Sequence, residues 1–435
     1  MGRTKQVAVL VAIVLVVSSL AGGLAGLAIS LESTAADAEL GEPTVQTEAV
    51  HETGITGENV SVGILDVTGF DAEQPLLEDR VVTSRGFGDG VAVDDPTDNH
   101  GTAAAITVAR TAPDAELYLG TVETPADYAA GLEWLVEEDV DVVVTPVVDA
   151  GTVGDGTADI ARSTTAAIDQ GVIVVAPVGN IGDGHWIGTY DPDEDGVHSF
   201  DHGPLNGIDG QTGHAEFHLA WNDPDESYHL ELHRLGDDGT TDLVARSLPR
   251  EHRPESAERL TVRLEDDRYA LVVRGPGAGD GTNTTVRIAS PTHSLDEARS
   301  ERSVTAPATA PEAIAVGAYD PSSESVAPFS SRGPTTDGRL GVYVVAPSGN
   351  HGPGTESFEG TSASAAYVGG VVALVCETAP DLEPRDVRWT IASSAEPIDG
   401  VDAESGHGVI DPLAAVQAAD SDREPPPEAE SADSR

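Results

Sequence analysis

Along the first half of the chain, apolar and polar positions follow two alternating periods. Val60–Leu65 (VSVGIL), Glu116–Thr121 (ELYLGT), Val140–Val144 (VDVVV) and Val172–Ala176 (VIVVA) are short apolar runs of the length of buried strands. Between them, His100–Arg110, Pro125–Glu138 and Asp159–Gln170 carry apolar residues at helical spacing. Strands alternating with helices predict a parallel sheet covered by helices on both faces. From about residue 183 to 300 the helical period disappears. His214–Trp221, Tyr228–Leu235, Leu260–Leu264, Tyr269–Arg274 and Thr285–Ile288 alternate with period two, and turns such as Gly236-Asp237-Asp238-Gly239 separate them. That pattern predicts an inserted antiparallel β-sandwich. The α/β pattern returns at Ala313–Ala318 (AIAVGA) and Tyr343–Ala346 (YVVA), followed by helices over Ser362–Glu377 and Pro384–Ser394.

The expected division is therefore 1–31 as a targeting segment, 32–182 and 301–418 as two parts of one α/β domain, 183–300 as the insert, and 419–435 as a disordered acidic tail. Residues 7–31 (VAVLVAIVLVVSSLAGGLAGLAISL) carry no charge and follow Arg3 and Lys5. A basic start and a long apolar run make an export signal, and the run is also long enough to anchor the chain in a membrane. The positive charges place the rest of the chain outside the cytoplasm. A small-x-small site at Ala36-Asp37-Ala38 offers a cleavage point, and the pattern leaves cleaved and anchored fates both open.

Charge changes the picture more than hydrophobicity does. Lys and Arg number 23 against 75 Asp and Glu, a net charge of -52, and Lys5 is the sole lysine. At low salt such a surface repels itself, and salt screens the repulsion. The composition fits a protein of molar salt, as in halophiles, and it excludes nucleic acid and anionic lipid as partners of the folded body. Cys376 is the sole cysteine, so there is no intrachain disulfide, and its setting in YVGGVVALVC is that of a small buried hydrophobe.

Three segments carry candidate chemistry. Asp66 ends the apolar strand of VGILDVTGF, His100 opens a helix in NHGTA, and Ser362 lies at the helix start of GTSASAA. Each alone reads as a turn or cap residue. Together, an acid, a base and a hydroxyl at strand ends and helix starts, in the order Asp, His, Ser, are the parts of a nucleophilic triad. The helix start at Ser362 also offers unpaired N–H groups to developing negative charge.

On these residues the chain resembles the subtilisin-like serine proteases, the subtilases, over about residues 48–182 and 301–415. VSVGILD resembles the family's aspartate strand, NHGTAAA its histidine motif and GTSASAA its serine motif. APVGNIG (176–182) resembles the strand that ends in the oxyanion asparagine. SVTAPATAPEAIAVGA (303–318), PFSSRGP (328–334) and GHGVIDPLAA (406–415) resemble flanking segments. The resemblance implies an exported, salt-adapted endopeptidase with Ser362 as nucleophile, His100 as base and acid, Asp66 as orienting carboxylate and Asn180 as oxyanion donor. Its partners would be polypeptide substrates and it would need no catalytic metal. A silent member of the same fold would bind polypeptide without cleaving it; the intact set of four residues argues against that. An esterase using the same triad is a further alternative.

The chain also departs from the family pattern. DVTG has one residue more than usual after the aspartate, Ala363 and Ala366 replace a usual methionine and proline, and VVDAG (147–151) stands where a pocket-lining SLG is expected. Residues 32–47 are short for a separate inhibitory propeptide. In the insert, DPDEDG (191–196) has the spacing of a calcium loop, but position 12 is His202. His214/His218 and His229/His233 are i,i+4 pairs on predicted strands, with a metal as one use. An insert that leaves and rejoins a core at neighbouring points is expected to be separable from catalysis.

Overall fold

The computed structural model describes residues 43–88, 92–95, 98–249, 256–277, 283–349, 351–352, 354–355 and 358–423; the apolar segment 7–31 and the end of the tail lie outside these. Helix α1 (Pro43–His51) leads into β1 (Ser61–Asp66) and β2 (Val81–Gly86), then α2 (His100–Thr111), β3 (Glu116–Thr121), α3 (Pro125–Glu137), β4 (Val142–Val144), α4 (Asp159–Ile168) and β5 (Ile173–Pro177). Local chemistry starts α3 sharply. Thr124 and Asp127 form a reciprocal capping box, with Pro125 in the first turn. The central strands are buried on both faces. Val62, Ile64, Val142, Val144, Ile173 and Val175 point into one core, and Leu65, Val143 and Val174 into the other.

The insert follows as ten strands: β6 (His185–Thr189), β7 (Asn206–Asp209), β8 (Gly213–Trp221), β9 (His229–Leu235), β10 (Thr241–Arg246), β11 (Leu248–Pro249), β12 (Ala257–Leu264), β13 (Tyr269–Arg274), β14 (Thr285–Ala289) and β15 (Ser294–Leu295). They form two five-stranded antiparallel sheets, ordered β10-β9-β13-β7-β15 and β11-β12-β8-β14-β6. Trp186, Phe217, Leu219, Leu230, Leu271 and Ile288 belong to the core between them. The chain then adds β16 (Ile314–Asp320), β17 (Ser325–Val326), β18 (Val344–Pro347), α5 (Thr361–Thr378), α6 (Pro384–Ser394) and α7 (Pro412–Arg423). The main sheet runs β17-β16-β5-β4-β1-β3-β2 with β18 beside β16, and only β17 is antiparallel.

Helix α5 is the centre of the larger core. It packs on β4, β5, β16 and α2 and is buried along nearly its whole length. Glycines set its depth. A Cβ on Gly369 would lie 2.2 Å from Val144 Cγ2, and one on Gly370 would lie 2.4 Å from Thr111 Cβ. Thr361–Thr378 is also apolar enough to cross a membrane, but 89% of that stretch is covered by protein, as a core helix must be.

The strand β2 is not legible in the apolar pattern, because VVTSRG alternates between half-buried and exposed positions at the sheet edge. The expected disordered tail begins too early. Helix α7 carries residues 419–423, with Ala415 and Ala419 buried in the larger core. Cys376 is half-buried, and desolvation pushes its thiol up to about 12, so it stays protonated and inert at neutral pH.

The insert is stitched to the α/β body rather than merely tethered. Ser290 N–H donates to Gly184 O (2.8 Å), Leu295 N–H to Asp183 O (2.9 Å) and Arg299 N–H to His185 O (2.6 Å), which zips its two ends together. Arg287 on β14 is fully buried and reaches the body, donating to the carbonyls of Thr152 and Ser303 and to His185 Nε2. His185 in turn donates from Nδ1 to Arg299 O, so its ring is neutral; burial and the Arg287 charge both hold its pKa well below the usual range. Arg287→Ala leaves these acceptors buried and unpaired. The expected outcome is a loss of roughly 3 kcal/mol in stability, read by urea denaturation, with no recovery in Arg287→Lys, which lacks the fork.

Candidate active site

The C-terminal ends of the parallel strands gather the triad candidates at one edge of the sheet, where open α/β folds place their sites. Asp66 is the last residue of β1 and is fully buried. Its Oδ2 lies 2.7 Å from His100 Nδ1, and its Oδ1 accepts from Thr68 N–H (2.9 Å) and the Thr68 hydroxyl (3.0 Å). The Thr68 hydroxyl oxygen also accepts from Gly101 N–H at 2.8 Å. One threonine therefore ties the acid to the helix start that carries the base. The extra residue in DVTG makes this geometry: an Asp–x–Thr spacing closes an Asx turn onto Asp66. Sequence reasoning treats that residue as a departure and misses Thr68, although the turn spacing is its signal.

His100 opens α2 and is 7% exposed, with its ring edge-on to Phe358 at 4.9 Å between centroids. Phe358 lies four residues before Ser362, so the base and the nucleophile helix share a wall. Ser362 is the second residue of α5, 6% exposed, and its hydroxyl donates to Pro146 O at 3.1 Å. Asn180 joins the same helix start. Its Oδ1 accepts from Thr361 N–H (2.9 Å) and the Thr361 hydroxyl (2.8 Å), which commits the oxygen and turns the amide NH2 outward. Gly360 makes this possible. It has φ +98°, and a Cβ there would sit 2.7 Å from Asn180 Nδ2. In the VVDAG stretch, Asp149 is buried and its backbone N–H donates to Ala306 O at 2.8 Å.

The other candidates have different surroundings. In the 191–196 loop, Asp193 Oδ1 accepts from Asp195 N–H and Val197 N–H, both at 2.9 Å, so it closes its own turn. Each histidine pair proves to flank a buried glutamate of the same strand face. His218 Nε2 lies 2.9 Å from Glu216 and His233 Nε2 lies 3.0 Å from Glu231. Arg259 also pairs with Glu216, and Arg246 and Arg274 with Glu231. These bonds hold Glu231 down to about 2 despite desolvation, which acts the other way. Among the described residues no group of three or more His, Cys, Asp or Glu is arranged as a metal cage.

Residues 262–408, about a third of the chain, match the subtilase family. Over 157 residues the chain is 31% identical to subtilisin DY of Bacillus licheniformis, covering 33% of this chain and 55% of that protein. Over 83 residues it is 46% identical to mycosin-1 of Mycolicibacterium smegmatis, covering 19% and 18% respectively. The chain thus spans about half, or less, of the length of these relatives. Among solved structures, the CspB protease of Clostridium perfringens superposes with a TM-score of 0.63 at 16% identity, covering 86% of this chain and 96% of that one. The fold is that of the subtilisin-like proteases. The family match and the relatives are similarities over parts of the chain, and the architecture over most of it is the subtilisin-like fold.

Thr68→Val removes both hydroxyl bonds by which Thr68 ties Asp66 to the His100 helix start. Reaction of Ser362 with a fluorophosphonate probe is expected to slow about tenfold, the effect of losing one hydrogen bond to a charged group. Thr68→Ser should restore it, with circular dichroism unchanged in both variants.

Proposed function

We propose that the chain is a serine endopeptidase, exported and adapted to high salt, that hydrolyses polypeptides through Ser362, His100, Asp66 and Asn180. The observation that carries this reading is the Asp66–His100 contact of 2.7 Å beside a helix start where Asn180 is bonded to the residue preceding Ser362. With Nδ1–H directed at Asp66, His100 Nε2 is the basic nitrogen. In the reacting complex the Ser362 hydroxyl leaves Pro146 O, gives its proton to Nε2 and attacks the scissile carbonyl. The buried Asp66 stabilises the imidazolium without taking the proton. The Asn180 amide and the Ser362 N–H at the start of α5 receive the oxyanion. His100 then protonates the leaving amine, and water resolves the acyl-enzyme by the same steps. Every step uses the chain's own groups. Residues 7–31 would carry the enzyme out of the cytoplasm, released or held at the outer face. A structural calcium ion remains compatible with so acidic a surface. The intact donor and base set favours catalysis over a silent polypeptide-binding role.

Ser362→Ala is expected to abolish cleavage of casein and of peptides while the fold is retained, and Asn180→Ala to lower kcat about 10²–10³-fold with little change in KM. Equal turnover by wild type and Ser362→Ala in matched salt would overturn the assignment.

A second expectation follows from the charge of -52. Turnover and compactness should both rise from dilute buffer toward about 3 M salt, as the Debye length falls below about 3 Å. Circular dichroism and initial rates across that range provide the check; a flat or falling response would remove the salt-adapted part of the reading.

A further inference from the structure

The sandwich does not stand apart from the catalytic edge. A cleft of about 550 Å³ opens between the two, and both Asn180 and Gly360 line it. Its first wall belongs to the α/β body, where Asp183 follows Asn180 in the loop after β5, Phe329 lies near β17, and Glu359 precedes Gly360. Its second wall is made by the insert alone, by residues 209–212 with His214 and by residues 290–294. His293 anchors that wall: it is 6% exposed, and its Nε2 bonds to Gln211 O at 3.1 Å, tying the two insert segments to each other. The wall is thus rigid, and it faces the position where the oxyanion donor must meet a substrate carbonyl.

We infer that the insert forms one wall of the substrate cleft and selects a polypeptide with a cationic side chain next to the scissile bond. This inference rests on the proposed proteolytic reading and adds the substrate class. A polypeptide whose carbonyl reaches Asn180 has to run one arm through this cleft, because Asn180 and Gly360 form part of its lining. Carboxylates stand on both walls, Asp183 and Glu359 on the body and Asp209 on the insert. All three are exposed, and none of their carboxylates forms an ion pair or accepts a hydrogen bond among the described residues. Elsewhere in the insert the glutamates Glu216 and Glu231 are each matched by arginine. A lysine or arginine side chain supplied by the substrate would meet three unmatched carboxylates, whereas an acidic one would be repelled from both sides. The expectation that the insert is separable from catalysis is revised accordingly: it helps to shape the site.

The test uses the full chain carrying Ser362→Ala, so that binding is read without turnover. Fluorescent peptides with a single arginine moved through a neutral sequence are compared with the same peptides carrying citrulline, the uncharged isostere. In one register the arginine peptide should bind about fivefold tighter, the scale of a few solvent-exposed charge pairs. Adding Asp209→Asn and Glu359→Gln should erase that preference, and molar salt should shrink it. Thr212→Trp, which places bulk on the insert wall, should weaken every peptide while leaving fluorophosphonate labelling of Ser362 unchanged in the otherwise wild-type chain. Equal binding of arginine and citrulline peptides in all registers, or a preference that survives the double substitution, overturns the inference. Hydrolysis by the wild-type chain is scored separately. Selective binding without hydrolysis would sink the protease reading alone, and hydrolysis without charge selection would sink this inference alone.

Discussion

Helix α5 can approach the sheet and α2 as closely as it does only because glycine faces both neighbours. Gly369 meets Val144 on β4, and Gly370 meets Thr111 on α2. Any side chain there would push the helix outward by more than an ångström. Because Ser362 lies about two turns before these contacts on the same rigid helix, their depth sets where its hydroxyl falls. The same contacts fix α2, whose first residue is His100, and β4, which leads into the Pro146 carbonyl that holds the serine. The position of the candidate nucleophile is thus decided by core packing, in a region with little compressibility. Asn180 is then locked to the helix start by hydrogen bonds to Thr361, so the oxyanion candidate follows the helix as well.

The sequence pattern was most legible where burial is one-sided or complete. The runs ELYLGT and YALVVR coincide with β3 and β13 because nearly every apolar position there is buried. The pattern was weakest at sheet edges, as for β2 and β10, where most residues face water and no apolar period develops. Of the four site residues, Asp66 and His100 could be placed by motif because a strand end and a helix start leave few geometries. Thr68 could not, since its role depends on a turn that only the folded backbone closes. The partners of the histidine pairs were hidden for another reason. In a strand, residues two apart share a face, so the glutamate between each pair was the partner all along, and a helical habit of reading i,i+4 spacing passed over it.

The charge distribution separates two kinds of carboxylate. Those buried on the strand faces that turn away from the sandwich core, Glu216 and Glu231, are desolvated and are held ionised by arginine and histidine at close range. Such pairs lose little to salt, because the ions cannot enter between them. The many surface carboxylates without partners depend on screening instead. A chain with a single lysine therefore uses arginine for its interior ion pairs, where a planar fork matches a carboxylate in two places at once. The charge of the surface and the ion pairing within the insert are thereby assigned to different residues.

The path of the chain also has a consequence for synthesis. Strand β5 pairs with β16 through Val175 and Ile314, and the whole insert lies between them. Until that pairing forms, Asn180 and the Ser362 helix belong to separate parts of an open chain, and the candidate site is not assembled. The insert is continuous in sequence, but only β9–β10 and β11–β12 pair consecutive strands, and β6 waits for β14 at the far end of the insert, so it closes late, once nearly all of it is present. Once formed, its zipped ends bring Asp183 beside Leu295. A long, entropically costly loop becomes a short one, and the second half of the sheet is delivered to the edge of the first. Closure of the sandwich and closure of the main sheet are thereby coupled through one short splice, at residues 183–185 and 290–299.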